Sequence, residues 1–351
     1  MKILHTSDIH LDSPLTSRLP GDKARIRRRE LLSSFGELIN KAKELSVEAV
    51  IIAGDLFDGE NLTKKGLDTA LFAIANNPTV NFFYLPGNHE GDALIRSGRA
   101  LPGNLFIFGE DWTYFKSGDT VVAGRSRIER GMFDSLDLRS EDKNILVLHG
   151  EPTDRTEAPE GIGLADAVGK NIDYMALGHY HTSTSYEIDS RGVAVYCGTP
   201  EGRGFDECGE RGFVVFDTSN PRAFRFIPHG ERRCRIITLD VSGITDYGIL
   251  EESCKRALSE ASCKDIVRLE LVGKRYAELW IDGDEIESIF KDKFFYFEVK
   301  NSSKIFIQKE DYQYDKTLKG EFIRLVNSKE DIDEATKEKV ISAGLYALMG
   351  E

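Results

Sequence analysis

Histidines, carboxylates and one asparagine with metal-ligating chemistry recur in five short blocks along the chain. In order, the blocks read Asp8-Ile9-His10, Gly54-Asp55, Gly87-Asn88-His89-Glu90, His149-Gly150 and Gly178-His179-Tyr180-His181. Imidazole together with carboxylate and carbonyl oxygen suits manganese, iron or zinc better than calcium. Two such ions about 3.5–4 Å apart clamp a phosphate and generate hydroxide from bound water near neutral pH. The residue types therefore predict a metal-dependent phosphoester hydrolase.

Nearly all of these polar groups come directly after apolar runs that have the pattern of buried strands. The predicted strands cover residues 2–6, 48–53, 80–85, 120–124, 144–148, 174–177, 193–197 and 212–217, and the predicted helices cover 25–45 and 64–75. This order is typical of a layered α/β domain, which places its functional side chains at the carboxyl ends of its strands. After about residue 172 the helices disappear, which suggests antiparallel pairing on one side.

Taken singly, each block also has an ordinary structural explanation. Asp8 and His10 fit a cap or a turn, Asn88 follows a Pro-Gly pair that favours turns, and a lone histidine at a strand end is more often a hydrogen-bonded core residue. Five blocks in order favour a shared metal site instead. Asp55 is the candidate bridge between the two ions. Asp58 is interpreted as a structural residue, either supporting a ligand or capping a loop.

The composition indicates a globular protein without a membrane segment. Hydrophobic residues make up 40% and charged residues 30% of the 351-residue chain, and no run approaches the roughly 18 apolar residues of a membrane span. No secretory segment precedes the first strand, and five cysteines without a Cys-x-x-Cys pair favour a reducing compartment, so a cytoplasmic location is predicted. The net charge of −13 counts against nucleic acid as a partner, although basic clusters such as residues 23–29 fit either a DNA footprint or a solvated helix face.

The sequence changes character near Pro228 to Arg235, which predicts a domain boundary. We expect a first domain over residues 1–230 and an α+β capping domain over 231–302. Within the second, the pattern predicts strands 235–241, 266–273, 277–281 and 294–299 and helices 248–261 and 283–290. A C-terminal extension, 303–351, carries one amphipathic helix from about Ser328 to Leu348, with acids at its start.

The five blocks resemble the motifs D-x-H, GD, GNH, H and GH-x-H of the calcineurin-like metallophosphoesterases, and all five are intact here. Residues 5–15, Gly54–Asp58 and Gly198–Glu207 further resemble the SbcD-type DNA repair exonucleases, especially their YhaO-like subgroup. Asp58-Gly59-Glu60 stands where phosphoprotein phosphatases usually carry Asp-Arg-Gly, which counts against a phosphoprotein substrate. The resemblance implies a layered α/β/β/α sandwich with a smaller α+β capping domain.

The resemblance also implies roles for individual residues in manganese-dependent hydrolysis of DNA phosphodiesters, with iron or zinc as other possible metals. One metal ion would be held by Asp8, His10, Asp55 and His181, and the second by Asp55, Asn88, His149 and His179. His89 would stay free of metal and protonate the leaving sugar oxygen or stabilise the transition state. Arg203 and Arg211 either contact a DNA phosphate or are surface arginines paired to Glu201 or Glu210.

Partners are implied by the same resemblance. In this family the region beyond the cap docks an SbcC-like ATPase of the ABC class, so the apolar stripe of the C-terminal helix either binds the ATPase coiled coil or packs on the chain's own domain. Residues 91–104 lack a long helical pattern, which counts against the homodimer that family members form.

The sequence is compatible with three functions. The first is a DNA exo/endonuclease subunit of a double-strand-break repair complex, and the second is a phosphodiesterase for cyclic nucleotides or other small phosphoesters. The third is a DNA-end or ATPase-binding module whose metal site is architectural, and the intact ligand set with His89 counts against it.

Overall fold

The first part of the chain, Met1–Cys234, is built from short strands and few helices. Its strands, in chain order, are β1 (Lys2–Thr6), β2 (Ala49–Ala53), β3 (Asn81–Leu85), β4 (Leu105–Ile107), β5 (Thr113–Ser117), β6 (Thr120–Gly124), β7 (Lys143–His149), β8 (Glu151–Pro152), β9 (Gly161–Ile162), β10 (Tyr174–Gly178), β11 (Thr184–Glu187), β12 (Val193–Tyr196), β13 (Arg211–Asp217) and β14 (Asn220–His229). Its helices are α1 (Gly21–Glu44), α2 (Lys64–Ala75) and the single turn α3 (Ala93–Arg96). This computed structural model describes residues 1–11, 13–15, 19–153, 161–276, 279–306, 312 and 314–349.

Two six-stranded sheets carry this first unit. One has the strand order β14-β13-β1-β2-β3-β4, and β1 to β4 are parallel to one another. The other has the order β11-β12-β10-β7-β6-β5, with four parallel strands in its middle. The expected antiparallel pairing late in the chain is present for β11 with β12 and for β13 with β14. In both sheets the carboxyl ends of parallel strands therefore form a shared edge.

Apolar side chains from the facing strands fill the space between the two sheets. This core includes Ile51 and Phe83 from the first sheet and Val147 and Ala176 from the second. The helices α1 and α2 cover the outer face of the first sheet, because apolar residues recur on one side of each helix. The outer face of the second sheet packs against short 3-10 turns such as Met132–Ser135. The predicted layered α/β fold class is confirmed.

The second unit, Arg235–Glu351, has its own core. Its elements are β15 (Cys234–Asp240), α4 (Tyr247–Ala257), β16 (Ile266–Val272), β17 (Lys274–Tyr276), α5 (Gly283–Phe290), β18 (Tyr296–Asn301), β19 (Lys304–Phe306), α6 (Leu318–Asn327) and α7 (Glu334–Met349). The strands form a sheet of order β15-β16-β18 and a small pair, β17 with β19. Leu250 and Phe290 from the helices pack with Leu269 from the sheet. The predicted domain limits at residues 230 and 302 stay predictions.

The C-terminal region differs from its prediction. The structure has two helices, α6 and α7, in the region where the sequence predicted a single helix from Ser328. Helix α6 ends at Asn327, and α7 begins at Glu334. Asp333 explains the second start: its carboxylate accepts hydrogen bonds from the main-chain N–H and hydroxyl of Thr336. Ile341 and Leu345 of α7 pack with Ile323 of α6.

The predicted strand 277–281 is not confirmed where it is described. Residues 277 and 278 lie outside the described part of the chain, and residues 279–281 are not in a strand. Leu279 and Ile281 instead pack into the core of the second unit. Within the described residues, none of the helices is both long and apolar enough to cross a membrane.

Candidate metal centre

The polar blocks leave the carboxyl ends of neighbouring parallel strands in both sheets. Asp8 follows β1, Asp55 follows β2, and Asn88 follows β3. In the second sheet, His149 ends β7 and His179 follows β10. Since the two sheets face each other, residues separated by more than a hundred positions in sequence meet at one edge of the molecule.

Main-chain hydrogen bonds fix the first two blocks against each other. The N–H of Asp8 donates to the carbonyl oxygen of Gly54, and the N–H of His10 donates to that of Asp55, each with an N···O distance of 3.0 Å. The Asp8 carboxylate accepts from the main-chain N–H of His179 at 3.1 Å. The backbone thus sets the positions of both carboxylates without depending on a bound ion.

Four of the predicted ligands have a left-handed backbone conformation. The φ angles are 51° at Asp8, 49° at His10, 52° at Asp55 and 96° at His179. Each such non-glycine residue costs on the order of 1–3 kcal/mol and persists only where its surroundings impose it. Such strain is typical of functional sites, and its concentration in these four residues marks this edge as the site.

Glycines in three of the blocks let the loops approach closely. A Cβ atom at Gly54 would lie 2.0 Å from Nδ1 of His149, and one at Gly87 would lie 2.0 Å from Oδ1 of Asp55. At Gly178 it would lie 1.8 Å from the carbonyl oxygen of Ala53. Contacts this short are not tolerated, so any larger residue here would push the ligand-bearing loops apart.

Carboxylate oxygens and imidazole nitrogens converge at spacings that fit shared metal ions. Nε2 of His10 and Nε2 of His149 lie 3.7 Å and 3.5 Å from Oδ2 of Asp55. Nε2 of His181 lies 3.6 Å from Oδ1 of Asp8. Ligand atoms that each bind one ion at about 2.1 Å are roughly 3.0–4.2 Å apart. Nε2 of His10 is buried and has no hydrogen-bond partner among the described residues, as expected of an atom that binds a metal ion.

Three groups of these side chains have ligand atoms within 4.8 Å of one another: Asp8, His10 and His181; Asp8, Asp55 and His149; and His10, Asp58 and His89. Asn88 joins the second group, because its Oδ1 lies 2.9 Å from Nε2 of His149. The His179 ring lies beside that of His149, with 5.5 Å between ring centroids. The structure thus brings every predicted ligand to one place, and the mixed nitrogen and oxygen donors fit first-row divalent ions.

Contacts to the Nδ1 atoms orient three of the imidazoles, those of His10, His149 and His181. Their Nδ1 atoms contact oxygen atoms at hydrogen-bond distance, namely Asp58 Oδ1 at 2.8 Å for His10, the carbonyl of Ala53 at 2.9 Å for His149, and Glu207 Oε1 at 2.8 Å for His181. This leaves each Nε2 atom facing the centre. Histidine ligands in metalloproteins are oriented in this way. Asp58 thus supports His10, which is one of the two structural roles predicted for it.

Arg203 and Arg211 lie inside this arrangement. Arg203 is only 4% exposed and donates to Asp58 at 3.2 Å and to Glu207 at 2.7 Å. The guanidinium of Arg211 donates to the carbonyl oxygens of His181, Glu207 and Cys208. Both groups hold the loop that follows β12, and neither pairs as a surface arginine with Glu201 or Glu210 in the described contacts. A contact with DNA phosphate stays a prediction that this geometry does not favour.

His89 stands at the open side of the centre. Its side chain is 47% exposed, and its Nε2 lies 3.8 Å from Oδ2 of Asp55. Its ring lies edge-on to that of His10, with 5.0 Å between centroids. The main-chain N–H of His89 donates to Oδ1 of Asp55 at 3.2 Å. The ring is therefore both anchored through its backbone and accessible to a substrate.

Charges within the centre shift one another's protonation. Burial alone would raise the pKa of Asp55, but the adjacent His149 and His10 hold it well below its ordinary value. Burial disfavours the charged form of His149, yet the Asp55 and Asp8 carboxylates together with the Ala53 carbonyl outweigh burial and raise the pKa of His149 to about 9. The metal-free centre therefore keeps a negative carboxylate beside a proton that an incoming cation would displace.

Glu90 connects the second and third blocks and was missed in the sequence analysis. Its Oε1 accepts hydrogen bonds from the main-chain N–H groups of Leu56 and Gly87, both at 3.1 Å, and from the hydroxyl of Tyr84 at 2.8 Å. Burial and the nearby Asp55 charge raise the pKa of Glu90 to about 7. Glu207 was also missed as a functional residue, although it is the last residue of the segment Gly198–Glu207, which resembles the family.

Comparisons with known proteins agree with this geometry. Residues 1–201 match the family described as calcineurin-like phosphoesterase. The "Uncharacterized metallophosphoesterase YhaO" of Bacillus subtilis (strain 168) is 26% identical over 241 residues, a match that covers 63% of this chain and 58% of that protein. The chain thus spans less than two thirds of the length of this relative.

Two solved structures are also similar. One is the protein TT1561 of Thermus thermophilus, with 13% identity, a TM-score of 0.45 and coverage of 65% of this chain and 98% of that one. The other is described as a novel archaeal phosphodiesterase, with 15% identity, a TM-score of 0.37 and coverage of 65% and 99%.

The family match spans more than half of the 351 residues and contains all five blocks, from Asp8 to His181. The strand-end placement of those blocks and their convergence at one edge agree with it. The chain belongs to the calcineurin-like phosphoesterase family.

Proposed function

We propose that this chain hydrolyses phosphodiesters at a centre of two divalent metal ions. The proposed ligands are Asp8, His10, Asp55, Asn88, His149, His179 and His181. The observation that supports the proposal is the convergence of three Nε2 atoms on the Asp8 and Asp55 carboxylates. These atoms belong to His10, His149 and His181, and the Nδ1 atom of each ring contacts an oxygen atom at hydrogen-bond distance. When bound, the ions would polarise the phosphate and supply hydroxide near neutral pH. Manganese is the proposed metal, with iron and zinc as the other first-row ions that suit these donors.

His89 is proposed as the general acid. Its imidazole is exposed beside the centre and lies within 3.8 Å of the Asp55 carboxylate. An imidazole in this position can donate a proton to the leaving oxygen as a general acid. The Asp55 carboxylate accepts a hydrogen bond from the main-chain N–H of His89 and thereby fixes the loop that carries this ring.

DNA is the proposed substrate, because residues 5–15 and Gly198–Glu207 resemble the SbcD-type exonucleases of double-strand-break repair. The relative YhaO is named only as an uncharacterised metallophosphoesterase. Small phosphoesters are the second candidate. The net charge of −13 and the inward-facing Arg203 and Arg211 favour that candidate, since polyanion binding relies on accessible basic groups.

An SbcC-like ATPase of the ABC class is proposed as a partner on the same resemblance, and a cytoplasmic location goes with it. In α7, Ile341 and Leu345 pack within the second unit, whereas Val340 and Leu348 are exposed. Only part of the apolar stripe is therefore available to another protein. Residues 91–104, which lack a long helical pattern in the sequence, contain the single turn α3. A homodimer is not part of the proposal.

The test is digestion of end-labelled duplex and single-stranded DNA with manganese, beside hydrolysis of bis(4-nitrophenyl) phosphate. We expect DNA shortening that requires manganese, and His89→Ala is expected to keep its metals but lose roughly 10²–10⁴-fold in rate. Rapid hydrolysis of the small diester without any DNA cleavage would move the protein to the small-phosphoester function. An unchanged rate in His89→Ala would remove its proposed role.

A further inference from the structure

Two cysteines lie side by side next to the loop that supports His181. Cys208 and Cys234 are free thiols, and they are paired in an isolated parallel β-bridge. The main-chain N–H of Gly209 donates to the carbonyl oxygen of Cys234 at 3.1 Å. Both cysteines belong to the first unit, of which Cys234 is the last residue. Because paired residues on neighbouring strands direct their side chains to the same face of a sheet, the two thiols are neighbours.

The separation of the two main chains suits a disulfide bond. Neighbouring strands lie about 4.7–4.9 Å apart, and the Cα atoms of disulfide-linked cysteines usually lie about 4.4–6.8 Å apart. Sγ of Cys234 lies near the segment that carries Cys208. A Cβ atom at Gly202 would be 3.4 Å from this Sγ atom and 3.0 Å from the carbonyl oxygen of Glu207. Rotation of the side chains and a small movement of the main chain would therefore join the two sulfur atoms.

The two thiols differ in their access to solvent. Cys234 is fully buried, and burial raises its pKa to about 12, so this thiol is inert towards reagents in solution. Cys208 is partly exposed, with Sγ 3.2 Å from the carbonyl oxygen of Phe205. An oxidant therefore reaches Cys208 first. An accessible thiol beside a second cysteine that resolves its oxidation product is the arrangement of redox-sensing pairs.

The segment that carries Cys208 also holds a predicted metal ligand. Glu207 precedes Cys208, and its carboxylate contacts Nδ1 of His181 at 2.8 Å. Arg211 donates to the carbonyl oxygen of Glu207 at 3.1 Å and to that of Cys208 at 2.6 Å. The same guanidinium also donates to the carbonyl oxygen of His181. A displacement of Cys208 would therefore change contacts to both the side chain and the main chain of His181.

We propose that Cys208 and Cys234 form a reversible disulfide that weakens metal binding at the candidate centre. The proposal rests on the proposed function, because it assigns a means of regulation to that same centre. The Cβ atoms of a disulfide lie about 3.5–4.5 Å apart, which is closer than the strand spacing. Closing the bond therefore draws the segment of Cys208 towards Cys234. Glu207 moves with this segment, and the His181 ring loses the acceptor that orients it.

Hydrogen peroxide is an oxidant that balances this reaction. It converts the Cys208 thiol to a sulfenic acid and releases one water. The sulfur of Cys234 then attacks the sulfenic sulfur, so that the S–S bond forms while the S–O bond breaks. The departing hydroxyl group takes the proton of Cys234 and leaves as a second water. One peroxide thus accepts the two electrons that the two thiols lose, and a dithiol such as dithiothreitol reverses the reaction by thiol–disulfide exchange.

The first measurement locates the bond. The metal-free chain is treated with hydrogen peroxide, the remaining thiols are alkylated, and the peptides are mapped by mass spectrometry. We expect two peptides linked through Cys208 and Cys234, which dithiothreitol separates. Oxidation of the exposed Cys263 that leaves Cys208 and Cys234 unlinked would overturn the proposal.

The second measurement compares manganese affinity before and after oxidation, once the peroxide has been removed. Calorimetry is expected to show about 10-fold weaker binding to the oxidised chain, as for the loss of a group that orients a ligand. Dithiothreitol is expected to restore the affinity.

Three variants make the second measurement specific to this pair. Cys208→Ser is expected to bind manganese as the reduced wild type does and not to respond to peroxide, since its hydroxyl can still donate to the carbonyl of Phe205. Cys234→Ala removes the buried partner and is likewise expected not to respond. Cys263→Ser is the matched control, because Cys263 is exposed in the second unit and its loss should leave the response unchanged.

The outcomes separate this proposal from the proposed function. A mapped disulfide with unchanged manganese affinity would overturn the regulation. A fall in affinity that persists in Cys208→Ser would overturn it as well, because another group would then be the one oxidised. Reduced wild type that binds no manganese would contradict the proposed function, whereas a mapped disulfide in that protein would still support the oxidation site.

Discussion

Glu207 holds the ring of His181 with a 2.8 Å contact between Oε1 and Nδ1. Burial would raise the pKa of Glu207, but His181 and Arg203 outweigh it and hold that pKa well below the ordinary value. The carboxylate is therefore ionised at neutral pH and acts only as an acceptor, so it favours a hydrogen on Nδ1 of His181. The other ring nitrogen, Nε2, lies 3.6 Å from Oδ1 of Asp8. Arg203 joins this carboxylate to Asp58, which supports His10.

Glu207→Gln is predicted to weaken manganese binding about 10–100-fold, because the His181 ring loses the ionised acceptor that orients it. Calorimetric titration of the metal-free protein measures the effect. Glu210→Gln is the control, since Glu210 lies nearby in sequence but pairs with Arg233 on the surface. Equal affinities in the wild type and Glu207→Gln would show that the contact does not position the ligand.

Gly87→Ala is predicted to disrupt the centre. The added Cβ would lie 2.0 Å from the Asp55 carboxylate and 2.4 Å from its main-chain nitrogen, and the backbone cannot yield cheaply. We expect loss of metal binding and a fall in the free energy of unfolding of roughly 2 kcal/mol or more. Urea unfolding and metal titration measure both quantities. Gly59→Ala serves as the control, because a Cβ there meets no atom within 4 Å; a wild-type-like Gly87→Ala would contradict the packing described.

Metal binding is predicted to release a proton. The pKa of His149 is raised to about 9 in the metal-free centre, whereas a metal ligand must be neutral. Below that pKa the ion must displace the proton, so manganese affinity should rise by up to about 10-fold per pH unit as the pH increases toward 9. Calorimetry at one pH in buffers of different ionisation enthalpy counts the protons. Binding heats that do not depend on the buffer would contradict this assignment.

Stability of the metal-free protein is predicted to fall in acid because of His5. This residue is fully buried, with Nδ1 3.0 Å from the hydroxyl of Tyr174, and burial lowers its pKa to about 3. The unfolded chain binds the proton at about pH 6.5, so this contribution is present above pH 6.5 and is lost as the pH falls toward 3. The slope is at most about 1.4 kcal/mol per pH unit.

Urea unfolding with a chelator at several pH values measures that slope in the wild type and in His5→Asn. The variant lacks a group that titrates in this range at position 5, so its stability should depend less on pH, whatever its absolute value. Identical slopes in the two proteins would contradict the assignment to His5.

The shared position of the proposed ligands was predictable from the sequence because each ends or closely follows a strand with a strong apolar pattern. Asp8, Asp55 and His149 illustrate this, since β1, β2 and β7 are fully or almost fully buried. Parallel strands then bring their ends to one edge by topology alone. No side-chain contact had to be known in advance.

The supporting residues could not be predicted in the same way. Arg203 reaches Asp58 across 145 positions of the chain, and Glu90 reaches the N–H of Leu56 across 34. Neither contact produces a periodic pattern in the sequence from which it could be predicted. The short β4 and the partly exposed β5 and β11 were missed for a related reason, because little apolar burial marks them. The left-handed backbone at Asp8 and His10 arises from loop packing and has no signal in the residue types.

Anomalous diffraction from crystals grown with manganese tests the central claim most directly. The account predicts two peaks: one among Asp8, His10 and His181 and one among Asn88, His149 and His179, both beside Asp55. In an Asp55→Asn variant, at least one peak should be lost together with diester hydrolysis. Absence of ions from this edge of the molecule at saturating manganese, or binding only at other positions, would contradict a dinuclear hydrolase.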